Sequence, residues 1–180
     1  MLNVPNAITL LRIALIPPLA LQLAQREYGI ALALFAVSAL SDLVDGAIAR
    51  HWNQRTRFGA IADPVADKLT MLTVTVLLAV DGRLPWWFAT AVVARDLLIV
   101  GGAVAYHLWI GKVEMAPSAL SKLNTALEFL LLAAILAFGA SGADGGVALR
   151  LLMMVTLATI VLSGAHYAIT WGRKAARGRR

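Results

Sequence analysis

Long apolar segments constrain the fold of this chain more than any other feature of its sequence. Six stretches, each close to the ~20 residues of helix that cross a hydrocarbon core of ~30 Å, are separated by short runs of glycine, proline and charged residues. Only 14% of the 180 residues are charged, whereas soluble domains carry roughly 25%. The pattern predicts an all-α, polytopic integral membrane protein with six transmembrane helices, at 7–25, 29–50, 60–80, 86–109, 118–139 and 147–171.

Two consecutive prolines, Pro17 and Pro18, interrupt the first apolar segment. Proline lacks an N–H donor and kinks or breaks a helix from within. The sequence therefore predicts a short N-terminal interfacial helix from Asn6 that leads into a membrane span. A chain of this length is expected to form one domain, here 1–180 with a basic tail at 172–180.

Lysine and arginine residues are distributed unevenly between the two sides that six crossings would create. One side carries both termini and holds five basic residues of the tail together with Arg55, Arg57 and Lys112. The other side holds Arg26, Arg83 and Arg150. Because cytoplasmic loops carry the excess of positive charge, we expect both termini on the cytoplasmic side of the cell inner (plasma) membrane. The tail fits anionic lipid headgroups better than nucleic acid, which is not expected as a partner.

Aspartates are concentrated between residues 41 and 68, which contain four of the ten acidic residues of the chain. Asp42 and Asp45 are three residues apart near the end of the second segment, and Asp63 and Asp67 are four apart near the start of the third. Residues three or four apart share a helix face. Because a short connection favours antiparallel neighbouring helices, we expect the four carboxylates to converge on one small volume at the cytoplasmic face.

Four ionised carboxylates at close range repel one another unless cations compensate. Oxygen ligands favour Mg²⁺, Mn²⁺ or Ca²⁺ over zinc, and four carboxylates can hold the paired ions that clamp a phosphoryl group. Two other interpretations are that the aspartates are solvated loop charges, or that they line the pathway of an ion-coupled membrane transporter. The loop interpretation fits poorly, because Asp42 and Asp45 fall inside a predicted span.

The residues around these aspartates follow the spacing D-x2-D-G-x2-A-R-x8-G-x3-D-x3-D. This spacing resembles the signature of the CDP-alcohol phosphatidyltransferase family. Every position of the signature is filled, by Asp42, Asp45, Gly46, Ala49, Arg50, Gly59, Asp63 and Asp67. The resemblance implies transfer of a phosphatidyl group from CDP-diacylglycerol to an acceptor hydroxyl with release of CMP. It also implies six membrane helices and a homodimer among membrane lipids.

The resemblance further implies roles for the residues of the signature. Two divalent cations, Mg²⁺ or Mn²⁺, would be held by Asp42, Asp45, Asp63 and Asp67. Asp67 would in addition be the catalytic general base that deprotonates the acceptor. The nucleotide site would be formed by Asp42, Gly46, Ala49, Arg50 and Gly59. Without the resemblance, Gly46 and Ala49 would instead indicate close helix packing, and Arg50 could equally reach the membrane surface.

Two basic residues in the second half of the chain bear on the acceptor. Arg95 lies deep in the fourth segment and Lys122 in the fifth, and such charges are costly in a membrane unless they face a cavity or a partner. They either bind an acceptor phosphate or belong to an internal ion-pair network, for example Arg95 with Glu128. The arrangement Arg-Asp followed by P-x3-S-K-x-N-T resembles mitochondrial-type cardiolipin synthases more than phosphatidylglycerophosphate synthases. We therefore expect phosphatidylglycerol as the acceptor, with glycerol 3-phosphate as the alternative.

Asn6, Thr9 and Arg12 recur every three residues along the first segment and so share a helix face. This face either borders the nucleotide site, or consists of a helix cap at Asn6 and a polar stripe at the membrane surface. The spacing alone fits both interpretations.

Overall fold

The computed structural model describes the backbone of residues 4–51, 57–109 and 118–177 and the side chains of residues 8–41, 62–102 and 118–170. All regular structure in these ranges is α-helical. The helices are α1 (Val4–Ala24), α2 (Tyr28–His51), α3 (Arg57–Val80), α4 (Trp86–Trp109), α5 (Ala119–Ser141) and α6 (Gly146–Arg177). The helix bounds follow the six apolar segments. Because all regular structure in the described residues is helical, the all-α prediction is confirmed.

α1 is one continuous helix, although Pro17 and Pro18 lie inside it. Each proline removes one N–H donor, so the carbonyls of Ile13 and Ala14 lose their helical partners. Packing compensates for this loss, because α1 contacts both α2 and α3 and Leu19, directly after the prolines, is buried. The break expected at the prolines does not occur in the described residues. No separate helix precedes α1 there, so the short interfacial helix is not confirmed.

Two helices in the described part of the chain are long and apolar enough to cross a membrane, namely Ala119–Ser141 and Gly146–Thr170. Only 33% and 22% of their apolar windows are buried within the protein, whereas the core helix of a soluble protein is mostly buried. The apolar stretches described in α1 and α2 are shorter, Ile8–Ala24 and Tyr28–Ser41. The six-span topology therefore stays a prediction.

The helices form two compact units. The first comprises Met1–Leu84 and Leu132–Gly145, and so contains α1, α2, α3 and the second half of α5. The second comprises Pro85–Leu131 and Gly146–Arg180, and so contains α4, the first half of α5 and α6. The organisation of residues 1–180 as a single domain stays a prediction.

Each unit has an apolar core of its own. In the first unit α1 packs against α2 and α3, and the buried side chains include Phe35 and Leu78. In the second unit α4 packs against α6, and the buried side chains include Phe88 and Ile160. Burying a side chain of this size contributes about 1.5–3 kcal/mol relative to leaving it in water. Packing of these apolar side chains fixes the positions of the helices that carry the polar residues described below.

Asp81 closes one end of the first unit, directly after α3. Its carboxylate accepts a hydrogen bond from the Tyr28 hydroxyl at 2.5 Å and forms ion pairs with Arg26 Nε at 2.9 Å and Arg83 Nε at 3.3 Å. The Arg83 guanidinium also lies over the Tyr28 ring, 4.1 Å from its centroid. These contacts join the connection between α1 and α2 to the end of α3, and they fix the Tyr28 ring against Gly139 of α5.

A side chain at Gly139 would collide with this ring, because a Cβ there would lie 2.8 Å from Tyr28 Cγ. We expect Gly139→Ala to lower the free energy of unfolding by about 1–3 kcal/mol, as overpacking does, although alanine favours a helix by ~1 kcal/mol. Thermal unfolding of the detergent-purified protein measures the change, at roughly 2–4 °C per kcal/mol.

The matched control is Gly164→Ala in α6, where an added Cβ meets no described atom within 4 Å. Its unfolding midpoint should stay constant or rise, because only the helix propensity changes. Equal decreases in the two variants would contradict a specific contact between Gly139 and Tyr28.

Candidate active site

The eight signature residues lie on two helices that contact each other. The C-terminal part of α2 carries Asp42, Asp45, Gly46, Ala49 and Arg50, and the N-terminal part of α3 carries Gly59, Asp63 and Asp67. The side chains of residues 42–61 lie outside the described residues. The convergence of the four carboxylates, and the nucleotide site formed by the residues of α2 with Gly59, therefore stay predictions.

Asp63 is held from α1 by two donors. Its Oδ1 accepts a hydrogen bond from the Thr9 hydroxyl and forms an ion pair with Arg12, whose Nη2 lies 3.1 Å away. Thr9 and Arg12 lie three residues apart on α1, and their exposed fractions are 0% and 1%. The Asp63 side chain itself remains 35% exposed. One side of this carboxylate therefore faces buried donors, while part of it stays accessible.

These contacts decide between the two interpretations of the polar face of α1. A polar stripe at the membrane surface would leave Thr9 and Arg12 exposed, whereas both are buried and contact α3. The surface-stripe interpretation is therefore wrong for these two residues. The side chain of Asn6 lies outside the described residues. The face of α1 instead borders a predicted metal ligand.

Asp67 lies one turn after Asp63 on α3, and both carboxylates are partly exposed, whereas Ala66 between them is buried. In the part of the chain whose side chains are described, both hydrogen bonds to Asp63 fall on Oδ1 and neither involves Oδ2. Carboxylate oxygens suit hard cations such as Mg²⁺ and Mn²⁺, so the carboxylates of Asp63 and Asp67 fit the predicted metal ions. Among the residues with described side chains, no three ligating groups cluster by themselves. The predicted site therefore needs Asp42 and Asp45 from α2.

Arg95 of α4 is the centre of a second polar cluster, in the second unit, and is only 6% exposed. Its Nη1 lies 2.7 Å from Asp96 Oδ1, and its Nη2 donates to the hydroxyls of Ser121 on α5 at 2.7 Å and Ser163 on α6 at 3.0 Å. One guanidinium thus joins three helices. Glu128, the partner considered from the sequence, is also buried on α5, but the ion pair of Arg95 is with Asp96.

Lys122 follows Ser121 on α5 and is exposed. Successive helix residues point about 100° apart, so Ser121 can face Arg95 while Lys122 faces away from it. No described contact joins Arg95 to Lys122, although both are predicted acceptor residues. Lys122 is therefore accessible to a ligand, whereas Arg95 is buried, with its Nε lacking a hydrogen-bond partner among the described residues.

The predicted site omits five residues whose side chains contact its members: Thr9, Arg12, Ser121, Ser163 and Asp96, which directly follows Arg95 in the sequence. The three-residue spacing on α1 was a signal for the first two, and Ser121 lies within the run S-K-x-N-T. Ser163 has no comparable signal, because small polar residues are common at packed helix interfaces in membranes. Only the packing of α4 against α6 brings it to Arg95.

Known proteins resemble this chain over most of its length. The family model described as CDP-alcohol phosphatidyltransferase matches residues 2–171. Human cardiolipin synthase (CMP-forming) is 30% identical over 188 residues, which cover 96% of this chain and 62% of the human protein. The Escherichia coli (strain K12) CDP-diacylglycerol–glycerol-3-phosphate 3-phosphatidyltransferase is 34% identical over 145 residues, covering 74% of this chain and 76% of that protein. A putative cardiolipin synthase of Mycobacterium tuberculosis (strain ATCC 25618 / H37Rv) is 41% identical over 101 residues.

The chain spans 62% of the human relative and 48% of the mycobacterial one. The family match, in contrast, covers nearly the whole chain. It includes α1, the signature on α2 and α3, and α6 as far as residue 171. The complete signature and this match agree on one conclusion: the chain belongs to the CDP-alcohol phosphatidyltransferase family.

Proposed function

We propose that the protein transfers a phosphatidyl group from CDP-diacylglycerol to an acceptor hydroxyl and releases CMP. The observation that carries this proposal is the complete eight-residue signature in a chain that matches the family over residues 2–171. The described part of the signature agrees with it, because Asp63 and Asp67 share a partly exposed face of α3 beside a buried arginine.

In this proposal the four signature aspartates, Asp42, Asp45, Asp63 and Asp67, hold two divalent cations, Mg²⁺ or Mn²⁺. When bound, such ions offset the charge of the pyrophosphate and of the CMP that leaves. The protein's contribution is to hold the carboxylates in place, and Asp63 is already fixed from α1 through its Oδ1. The nucleotide would lie against Asp42, Gly46, Ala49, Arg50 and Gly59.

Asp67 is the proposed general base. The acceptor oxygen forms a bond to the phosphorus of the phosphatidyl group, the bond from that phosphorus to the CMP oxygen breaks, and the Asp67 carboxylate takes the hydroxyl proton. A base must come within about 2.6–3.2 Å of the oxygen that it deprotonates. The partial exposure of Asp67 on α3 leaves its carboxylate accessible to such an acceptor.

Phosphatidylglycerol is the proposed acceptor, and glycerol 3-phosphate is the alternative. The first is supported by similarity to proteins named cardiolipin synthase, and the second by similarity to the Escherichia coli protein. Both acceptors carry a phosphate, for which Arg95 and Lys122 are the proposed contacts. Lys122 is exposed, whereas Arg95 is buried and retains an Nε donor that has no hydrogen-bond partner among the described residues.

We also propose six membrane spans, with both termini and the active site on the cytoplasmic side of the cell inner (plasma) membrane. The shortest helix, α1, has 21 residues, which at 1.5 Å per residue reaches about the ~30 Å thickness of a hydrocarbon core. Exposed leucine and valine side chains, among them Leu97, Leu151 and Val161, fit contact with lipid chains. A homodimer is proposed on the family resemblance, and no nucleic-acid partner is proposed.

An ion-coupled membrane transporter is the candidate from another functional class. Buried arginines such as Arg12 and Arg95 also occur along ion pathways. Each of them, however, has an aspartate within 3.1 Å, and a transporter gives no reason for a complete phosphatidyltransferase signature. The two functions differ in a measurable product, because only the enzyme releases CMP.

The decisive experiment measures CMP release from CDP-diacylglycerol by the detergent-purified protein with Mg²⁺ or Mn²⁺. We expect release with phosphatidylglycerol, little release with glycerol 3-phosphate, and none after EDTA has removed divalent cations. Release with glycerol 3-phosphate alone would reverse the acceptor. If neither acceptor supports metal-dependent release, the proposed function is wrong, and ion-driven uptake into vesicles would then favour the transporter.

Asp67→Asn tests the general base, because asparagine keeps the shape of the side chain but cannot take the proton. We expect kcat to fall about 10²- to 10⁴-fold, the usual contribution of a general base, while equilibrium binding of CDP-diacylglycerol persists. Asp144→Asn, which changes an exposed carboxylate between α5 and α6, serves as the control with unchanged turnover. Full activity of the Asp67 variant rules out the assigned role.

Lys122→Met tests the acceptor phosphate contact. One lost charge-assisted hydrogen bond of about 1.5–3 kcal/mol corresponds to a rise in the KM for the acceptor of about 10- to 100-fold, with the KM for CDP-diacylglycerol unchanged. Arg150→Met removes an exposed positive charge elsewhere in the second unit and should leave both constants unchanged. Equal changes in both KM values would show that Lys122 does not act on the acceptor specifically.

A further inference from the structure

We propose that Thr9 and Arg12 of α1 are positioning residues, which orient the carboxylate of Asp63 so that its Oδ2 binds a divalent cation. The proposal rests on the proposed function, in which Asp63 is a metal ligand. It extends the site beyond the signature, whose residues all lie on α2 and α3, to a third helix.

The first support is the convergence of two donors on one atom. The Thr9 hydroxyl and Arg12 Nη2 both contact Oδ1 of Asp63, the latter at 3.1 Å. Two donors that approach the same oxygen from a neighbouring helix restrict rotation of the carboxylate about its own bonds. Oδ2 lies outside both contacts, so it is the oxygen that another partner can reach.

The second support is burial. Thr9 is 0% exposed and Arg12 is 1% exposed, whereas the Asp63 side chain is 35% exposed. The two donors are therefore fixed within the first unit by the packing of α1 against α3. Of the three side chains, only that of Asp63 is partly exposed. This is the arrangement expected of supporting residues behind a ligand-binding carboxylate.

The third support is chemical. Carboxylates that bind metals are themselves held by hydrogen bonds, and removing such outer partners typically weakens metal affinity 10- to 100-fold. The two donors differ in one respect, because Arg12 carries a positive charge that also repels a nearby cation. Substituting Arg12 changes orientation and charge together. Thr9 is neutral, so its substitution leaves the charge near the cation unchanged and gives the clearer test of orientation.

The experiment measures Mn²⁺ binding to the detergent-purified protein without substrate, from the electron paramagnetic resonance signal of free Mn²⁺. We expect Thr9→Val to weaken binding by about 10-fold or more, because valine matches the shape of threonine but donates no hydrogen bond. Thr9→Ser keeps the hydroxyl and should bind Mn²⁺ nearly as well as the unchanged protein.

Thr75→Val in α3 is the matched control. Thr75 is also 0% exposed, and its hydroxyl has no hydrogen-bond partner among the described residues. The substitution removes a buried hydroxyl from the same unit without removing a contact to Asp63. Its Mn²⁺ affinity should therefore equal that of the unchanged protein.

A kinetic measurement separates positioning from a merely structural role. We expect Thr9→Val to raise the Mn²⁺ concentration needed for half-maximal CMP release about as much as it weakens binding, with kcat at saturating Mn²⁺ within a few-fold of normal. Arg12→Lys retains the charge with a different donor geometry and should shift the metal dependence in the same direction. A structural defect would instead lower kcat and the thermal midpoint at every Mn²⁺ concentration.

The outcomes separate this proposal from the proposed function. If the unchanged protein binds no Mn²⁺, the metal site of the proposed function is wrong. If the unchanged protein binds Mn²⁺ and Thr9→Val binds it equally well, the positioning role is wrong while the proposed function stands. Failure of both Thr9→Val and Arg12→Lys to fold would assign these residues to stability and would likewise overturn the positioning role.

Discussion

A charged side chain among packed apolar helices costs several kcal/mol unless an opposite charge or a hydrogen-bonding group lies beside it. Two buried arginines meet this condition by pairing across short distances, Arg12 with Asp63 in the first unit and Arg95 with Asp96 in the second. The pairs also connect helices, because Arg12 joins α1 to α3 and Arg95 reaches α5 and α6 through serines. The same condition is the reason why the four signature aspartates predict a cation site, since carboxylates in a predicted span need a compensating positive charge.

The contribution of α1 changes the description of the site. The signature identifies residues of α2 and α3 only, but its third aspartate, Asp63, is held from α1 by Thr9 and Arg12. Their burial shows that Thr9 and Arg12 are part of the interior of the first unit. The continuous course of α1 through Pro17 and Pro18 fits this role, because a helix packed on two neighbours keeps its position despite two missing hydrogen bonds.

The second unit separates two kinds of basic residue. Arg95 is buried, and its planar guanidinium serves three partners at once, which suits a residue that holds helices together. Lys122 is exposed, and an ammonium on a flexible stem suits contact with a mobile phosphate. The internal ion pair considered from the sequence is therefore present at Arg95, with Asp96 in place of Glu128. Contact of Arg95 and Lys122 with an acceptor phosphate stays a proposal.

The sequence by itself determined the six helices, because segment length and helix-breaking residues are local properties, and it determined the family, because the identity and spacing of the signature residues can be read directly. Local rules failed at Pro17, where packing overrode proline. Only the tertiary structure decided that Arg12 faces Asp63, 51 residues away, and that Ser163 faces Arg95, 68 residues away. The physical reason is that such contacts depend on which faces of two helices pack together, and periodicity within one helix does not specify its neighbour.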